Sequence, residues 1–349
     1  MKCTIQNIAD HLGLSRNTVS KALKNSSEVS ENTRNLVIKT ASKLGYKNAT
    51  FATPVIPASE TGSNGTILFL TRTYASDSEF WTTVLRGIES ILSNANYHLA
   101  ISIMSDSDLK QLNFPQTISD SSIKGIILVE ICDKVVCDAL SQFNLPIVSV
   151  DMPNVPFEEL NGIDVVTMES KKNLKKIINQ LIEKGAESFG FVGDLYSPNV
   201  SRGFQERYNA LSECLAEHQL PLNQKNCLLH QTPEDFWNFQ TTVNNLQAMI
   251  SLPDVFICGN DWTAIQLIYA LQFLGFQIPK DICVVGFDNI PAASRISPSL
   301  TTISTPQKYL GIAAARQILE RIQHPNCPHV FCQYETELII RNSTNIISF

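Results

Sequence analysis

The first apolar positions of the chain recur at helical spacing. Ile5, Ile8, Ala9 and Leu12 are 3, 1 and 3 residues apart, which places them on one helix face. Thr4 stands where a hydroxyl caps the first turn, and Gly13 breaks the pattern. Ser15 is the next cap, followed by Thr18, Val19, Ala22 and Leu23 at helical spacing. A third stretch opens at Ser30, runs through Val37, Ile38, Ala41 and Leu44, and stops at Gly45. Three short helices with a tight turn between the first two predict a small all-α helix-turn-helix head over residues 1–46.

From residue 66 the period changes. Thr66–Leu70, His98–Ile103, Gly125–Val129, Ile147–Val150, Ser188–Val192, Val255–Cys258 and Ile282–Val285 are short apolar runs. Phe80–Ser93, Leu174–Lys184, Phe204–Leu220 and Thr263–Leu274 between them have helical periodicity. Strands that are apolar throughout and separated by helices imply an α/β body with parallel sheets covered on both faces. Its length, roughly 280 residues, suits two such lobes. Residues 47–65 between head and body are rich in Asn, Ala, Thr, Pro, Ser and Gly, a linker composition.

Composition sharpens this outline. Of 349 residues, 44% are hydrophobic and 17% charged, which excludes whole-chain disorder. No apolar run reaches the roughly 18 residues a membrane helix needs. Met1-Lys2-Cys3-Thr4 leads directly into polar sequence with no apolar export segment, so a cytoplasmic protein is expected. The nine cysteines are scattered, with no Cys-x-x-Cys, and Cys132/Cys137 and Cys327/Cys332 lack histidines at zinc-ligand spacing. They read as reduced, small apolar residues, and no metal or cofactor is expected.

Charge is segregated. Residues 1–47 hold eight Lys/Arg against three Asp/Glu, a net of +5, and the remainder holds 19 against 30, a net of −11. A basic head on an acidic body points to a polyanionic partner for the head alone. In a helix-turn-helix the second helix enters the DNA major groove with its N-terminal residues toward base edges. Those are Ser15, Arg16, Asn17 and Thr18, with Lys21 a turn later. Arg16 and Lys21 suit guanine O6 and N7, and Asn17 suits adenine. Thr4, Ser20, Lys24, Asn25 and Thr33 are better placed for phosphates. The bland alternative is a basic bundle that binds nothing.

Ligands of open parallel sheets bind beyond the carboxyl ends of the strands. The residues there are Arg72 and Thr73, Glu130, Asp151, Gly193-Asp194, Asn260-Asp261 and Asp288-Asn289. With Phe80, Trp81 and Trp262 near in sequence, the set reads as a sugar site, in which rings stack on a pyranose and polar groups take its hydroxyls. Asp261 is either a helix cap or a ligand contact. Trp81 is either core or site, since it shares a face with Val84, Leu85 and Ile88. Lys171, Lys172, Lys175 and Lys176 read as a solvated helix face, and the scattered histidines form no catalytic or metal pattern. No Gly-x-Ser-x-Gly, His-Glu-x-x-His or Gly-rich phosphate loop is present, so an enzyme is not expected.

The blocks Thr4-Ile5-Gln6-Asn7-Ile8-Ala9, Gly13 through Leu23 with Val19-Ser20-Lys21-Ala22-Leu23, and Leu44-Gly45-Tyr46 resemble the head of the LacI/GalR family of bacterial transcription regulators. The resemblance continues through Phe204–Leu211, Gly259-Asn260-Asp261-Trp262-Thr263-Ala264, Val284–Pro291 and Pro298–Ile303. It implies a two-lobed periplasmic-binding-protein-like (type I) fold for residues 66–349, with lobes of 66–160 plus 291–323 and 161–290 plus 324–349. It implies that Pro298–Ile303 forms the strand back into the first lobe. It also implies a homodimer on double-stranded operator DNA, pairing through the region of Phe80–Ser93 and the equivalent second-lobe helix, with repression as the expected sign. By the same resemblance Arg207 and Asp288 would clamp effector hydroxyls with Asn260 and Asp151 contributing, and Arg202 would replace Arg207 if the register slips. The linker departs from the family pattern, since Asn48, Thr53 and Val55 take the proline, arginine and leucine slots, and Pro54 and Pro57 oppose a continuous hinge helix. The alternative from another class is an exported sugar-binding transport component, which the lack of an export segment disfavours.

Overall fold

The computed structural model describes residues 4–23, 29–30, 33, 36–37, 40, 63–72, 78–195, 201–230 and 239–344. The linker positions Asn48, Thr53, Pro54, Val55 and Pro57, and Lys24, Asn25 and Thr73, lie outside them. The chain divides into two compact units, Met1–Gly62 and Ser63–Phe349.

In the first unit α1 spans Ile5–Leu12 and α2 spans Arg16–Leu23. Thr4 and Asn7 form a reciprocal capping box at the start of α1, with the Thr4 N–H 2.9 Å from Asn7 Oδ1. Gly13 closes the helix in the left-handed region at φ 65°, where a side chain is strained. Ser15 Oγ accepts the Thr18 N–H at 3.0 Å, so the turn is capped on both sides. Ile8, Ala9, Val19, Ala22, Val29 and Val37 form the small core, and Thr33, Leu36, Val37 and Thr40 are helical.

The second unit starts with β1 at Gly65–Thr71, so Gly65, assigned above to the linker, is already sheet. It continues as α3 Glu79–Asn94, β2 Tyr97–Ile103, α4 Asp106–Gln111, β3 Ile123–Val129, α5 Lys134–Ser141, β4 Ile147–Val150 and β5 Ile163–Met168. Then follow α6 Lys172–Glu183, β6 Phe189–Asp194, α7 Arg202–Glu217, β7 Leu228–His230, α8 Phe239–Ala248 and β8 Val255–Cys258. The last elements are α9 Asp261–Phe273, β9 Cys283–Asp288, β10 Thr301–Ser304, α10 Gln307–Gln323, β11 Phe331–Tyr334 and β12 Glu337–Ile339. Two six-stranded sheets result, ordered β11-β5-β4-β3-β1-β2 and β12-β10-β9-β8-β6-β7. All described pairings are parallel except β12 against β10.

The expected lobe boundaries need correction. β5, expected in the second lobe, pairs in register with β4 in the first sheet, and β11 pairs with β5 there. β10, expected in the first lobe, pairs with β9 in the second sheet. The reason is hydrogen-bond continuity: each strand joins the sheet whose edge it extends, and the chain crosses between sheets after β5, after β10 and again after β11.

α10 does lie on the first sheet, against β3, β4 and β5, and crosses α3. The crossing is close because Gly87 and Gly311 meet it. A Cβ on Gly311 would stand 2.0 Å from the Val84 carbonyl oxygen, and one on Gly87 2.2 Å from that of Lys308. The outward face of α3 is polar, with Arg86, Glu89 and Ser93 exposed. Cys132, Cys137, Cys214, Cys258 and Cys283 are buried. Among the described residues no helix is long and apolar enough to cross a membrane.

Candidate functional site

In the head, Val19 and Ala22 anchor α2 in the core, which leaves Arg16 and Asn17 exposed on its other side with Ser20 and Lys21 half-buried beside them. Four of the expected DNA contacts, Ser15, Thr18, Thr4 and Thr33, are partly committed to structure. Ser15 Oγ caps α2 and also lies 2.7 Å from Thr18 Oγ1. Thr4 Oγ1 donates to Asn7 Oδ1 at 2.6 Å. Thr33 is similarly tied to Ser30, hydroxyl to hydroxyl at 2.8 Å. Among the described residues of α2, Arg16 and Asn17 are therefore the exposed donors, next to a turn capped on both sides.

In the body, three of the expected residues converge although 56 and 81 positions of chain separate them: Asp151 after β4, Arg207 on α7 and Asp288 at the end of β9. Arg207 is 3% exposed. Its Nη1 donates to the Gly259 carbonyl oxygen at 2.6 Å. Its guanidinium carbon lies 3.6 Å from the centroid of the Phe287 ring and 5.2 Å from that of Phe204. Its Nε is buried and donates to no protein atom. Burial disfavours the Arg207 charge, and Asp288, Asp151, Glu206 and Asp261 restore it in that order.

The carboxylates are under the opposite strain. Burial pushes the Asp288 carboxyl up to about 7, against the pull of Arg207 and with the help of Asp151. Asp151 is likewise raised by burial, against the Met152 N–H at 2.8 Å, Arg207 and the Ser201 hydroxyl. Both sit in backbone conformations that favour glycine, φ 78° at Asp151 and 115° at Asp288. Such strain persists only where the surroundings overdetermine it. At Asp288 they do. Its carbonyl oxygen accepts from Gln307 Nε2 at 2.6 Å and Thr305 Oγ1 at 3.2 Å.

The Asn260-Asp261 pair resolves in an order opposite to the cap assignment considered for Asp261. Asn260 is the cap of α9, its Oδ1 accepting the Thr263 N–H at 2.9 Å. Asp261 is fully buried and accepts the Ile290 N–H at 2.9 Å and the Thr302 hydroxyl at 2.6 Å. It therefore holds the turn that presents Asp288. Asn289 is tied to Arg341 at 2.6 Å and Ser304 at 3.1 Å. Of the aromatic candidates, Phe80 is buried in the core with Trp81 edge-on at 4.6 Å, and Trp81 is half-buried against that core. Trp262 is 41% exposed on α9. Arg72 pairs with Asp106 at 2.6 Å, and Lys171, Lys172 and Lys175 pair with Glu213 and Glu335, so these lysines form a paired helix face.

Phe204, Phe287 and the Gly259 carbonyl were not singled out from sequence. Phe204 had a signal, since it lies three residues before Arg207 on one helix and so shares its face. Gly259 had none: a Cβ there would stand 2.3 Å from the Phe204 ring, a clash visible only in three dimensions. The assembled site is one guanidinium on an aromatic bed facing several carboxyls. It offers acceptors and donors at fixed positions to a hydroxyl-rich molecule. Among the described residues no group of His, Cys, Asp and Glu is arranged to hold a metal ion.

The Asp288 shift has a sign that can be checked. From an ordinary carboxyl value near 4 up to about 7, the native state keeps a proton that the unfolded chain releases, so stability falls as pH rises through that window. Asp288→Asn is expected to flatten this slope by up to about 1.4 kcal/mol per pH unit. Urea unfolding across that window measures it, and an unchanged slope would mean that Asp288 is ionised throughout.

Residues 4–48 match the model of bacterial regulatory proteins, lacI family, and residues 178–344 that of a periplasmic binding protein-like domain. The ribose operon repressor of Haemophilus influenzae is 27% identical over 344 residues, covering 97% of this chain and 98% of the relative. The solved complex of the transcriptional regulator CelR with cellobiose superposes with a TM-score of 0.69 at 19% identity, covering 98% of this chain and 100% of that one. The lac repressor dimer bound to operator and the anti-inducer ONPF superposes with a TM-score of 0.66 at 18% identity, covering 99% of each chain.

Proposed function

Because the chain belongs to the LacI family of bacterial regulatory proteins, we propose that it is a sequence-specific operator-binding repressor controlled by a small ligand, a sugar, bound between the two sheets of its body. The observation that carries the ligand half of this reading is Arg207: a buried guanidinium with an unused Nε, set among Asp151 and Asp288 from different sheets. A group so costly to bury is retained where it recognises something. The head, residues 1–46, reads the operator through Arg16, Asn17 and Lys21, with Ser15, Thr18, Ser20, Thr4, Lys24, Asn25 and Thr33 in support. Residues 47–65 link it to the body, and the protein acts in the cytoplasm without turning its ligand over.

The active unit is a homodimer. Trp262, Tyr269 and Phe273 are exposed at helical spacing on α9, whose other side is buried core. Phe239 packs edge-on to Phe273 at 5.7 Å and is also exposed. Large apolar side chains left exposed together on one helix need cover, and a second copy supplies it.

A gel shift with full-length protein and the DNA upstream of its own operon tests the reading. Arg16→Ala is expected to weaken binding roughly 10- to 100-fold, as loss of one bidentate base contact does. Lys21→Ala should reduce the slope of log affinity against log salt by about 1. Undiminished binding after deletion of residues 1–46 refutes it. Conversion of D-ribose or cellobiose by the purified protein would revive the enzyme reading.

A further inference from the structure

α7 carries a second arginine outside the ligand cluster, half-buried at the start of the helix. Arg202 begins α7 in the second lobe, and its contacts reach the first. Its backbone N–H donates to the Met152 carbonyl oxygen at 2.9 Å, and the preceding Ser201 bridges to Pro153. Its guanidinium carbon lies 5.3 Å from the centroid of the Phe331 ring, on β11 of the first sheet, and its Nη1 is 3.7 Å from Met152 Sδ. Glu206, one turn on, receives its Nε at 2.7 Å and holds the side chain in that direction. Phe331 is in turn backed by Phe157 at 5.5 Å.

We propose that Arg202 is the latch between the lobes: inserted between Met152 and Phe331, it holds them closed and positions Asp151 against Arg207. The coupling is covalent and short. Asp151 and Met152 are adjacent, and Arg202 and Arg207 are five residues apart on one rigid helix. When Arg202 leaves its slot, Asp151 moves away from the Arg207 guanidinium and the ligand site comes apart. Other polar contacts also join the lobes, among them the Ser201 hydroxyl to Asp151, Gln307 Nε2 to the Asp288 carbonyl oxygen at 2.6 Å and the Ala292 N–H to the exposed Glu79 Oε2 at 3.2 Å, and none of these three reaches β11. The groove beside the latch, about 720 Å³ and lined by Arg202, Glu206, Lys171, Phe157 and Phe331, has its two cations neutralised by Glu206 and Glu213, so it selects no ion of its own. Arg202 is thus a positioning residue. Its effect on affinity is the closed fraction it maintains, since apparent affinity scales with the population of the competent state.

Hydrogen exchange on the full-length protein without ligand reads the latch directly. Arg202→Ala is expected to lower protection at least tenfold in the segments 150–156 and 201–207 while β8 and β9 keep theirs. Arg202→Lys should behave like alanine, because an ammonium retains the pairing with Glu206 but has no planar face for the Phe331 ring. Phe331→Leu, which leaves the arginine intact, should show the same loss and covers the case of a misfolded arginine variant. Unchanged protection in the alanine variant, or full protection in the lysine variant, overturns the proposal. The second arm rests on the reading of the cleft as a sugar site: D-ribose should bind about tenfold more weakly to Arg202→Ala than to the wild type, following the closed population. If D-ribose fails to bind the wild type, that ligand assignment fails and the exchange data still decide the latch.

Discussion

Arg207→Ala is expected to abolish ligand recognition and to destabilise the body at neutral pH. The side chain is 3% exposed, and its charge is sustained in the interior chiefly by the nearby carboxylates of Asp288 and Asp151. Removing it leaves buried carboxylates without their partner, a change that costs roughly 3–5 kcal/mol in comparable sites. It also empties the bed formed by Phe287 and Phe204, so packing is lost with charge. Arg207→Lys should not rescue it, because an ammonium cannot at once reach Gly259, lie flat on Phe287 and keep a second donor for ligand. The stability loss carries a pH signature. Asp288, already raised to about 7, rises further without Arg207 and takes up its proton, so the deficit shrinks as pH falls. Urea unfolding at acid and neutral pH measures this, and titration calorimetry with D-ribose measures the recognition loss. A variant as stable as wild type at neutral pH that still binds ligand would show that Arg207 is neither buried against acids nor in contact.

Arg321→Met is expected to cost a similar roughly 3–5 kcal/mol, by the same physics used for a different end. Asp164 is fully buried as the second residue of β5. Arg321, near the end of α10, meets it with two parallel bonds of 2.9 Å and spends its remaining donors on the carbonyls of Pro325, Cys327 and Pro328. The Val330 N–H at 2.8 Å, Gln317 Nε2 at 3.2 Å and His329 Nδ1 at 3.4 Å also face the carboxylate. Burial pushes Asp164 up, but Arg321 and these donors outweigh it and hold the carboxyl below its ordinary value. A depressed acid contributes stability above its unfolded pKa and loses it as pH falls, so the deficit of the variant should be largest at neutral pH and fade in acid. The double variant Asp164→Leu/Arg321→Met should recover most of the loss, since no charge is then stranded. If the double variant is as unstable as the single one, packing rather than the ion pair is responsible.

The same cluster shows why part of the fold escaped a reading of the sequence. Ile163-Asp164-Val165-Val166 has a charge where a central strand should be apolar, and so it did not read as a strand. It is one because its partner arrives from 157 residues away. The head behaved differently. Thr4, Gly13 and Ser15 act through bonds to residues no more than four positions away, and those spacings are printed in the chain. The apolar strand runs were legible for a related reason: a parallel strand buried on both faces must be apolar at every position. Helix α10 was missed because its register of Gly311 and Ala313–Ala315 serves a close crossing with α3 and leaves a weak apolar stripe.

For the candidate site the division is similar. Asp151, Arg207 and Asp288 could be nominated as residues at strand ends and on a recognisable helix, but their meeting follows from the order of strands in two sheets. So do the exchange of roles between Asn260 and Asp261, and the removal of Arg202 from the ligand cluster to the seam between lobes. The linear chain determined what depends on the backbone's own period: where the first helices of the head start and stop, which wholly apolar runs are strands, and that a basic head precedes an acidic body. Only the tertiary structure decided which charges face each other, because the energy of a buried carboxylate is set by groups brought near it through space, most of them more than forty residues distant along the chain.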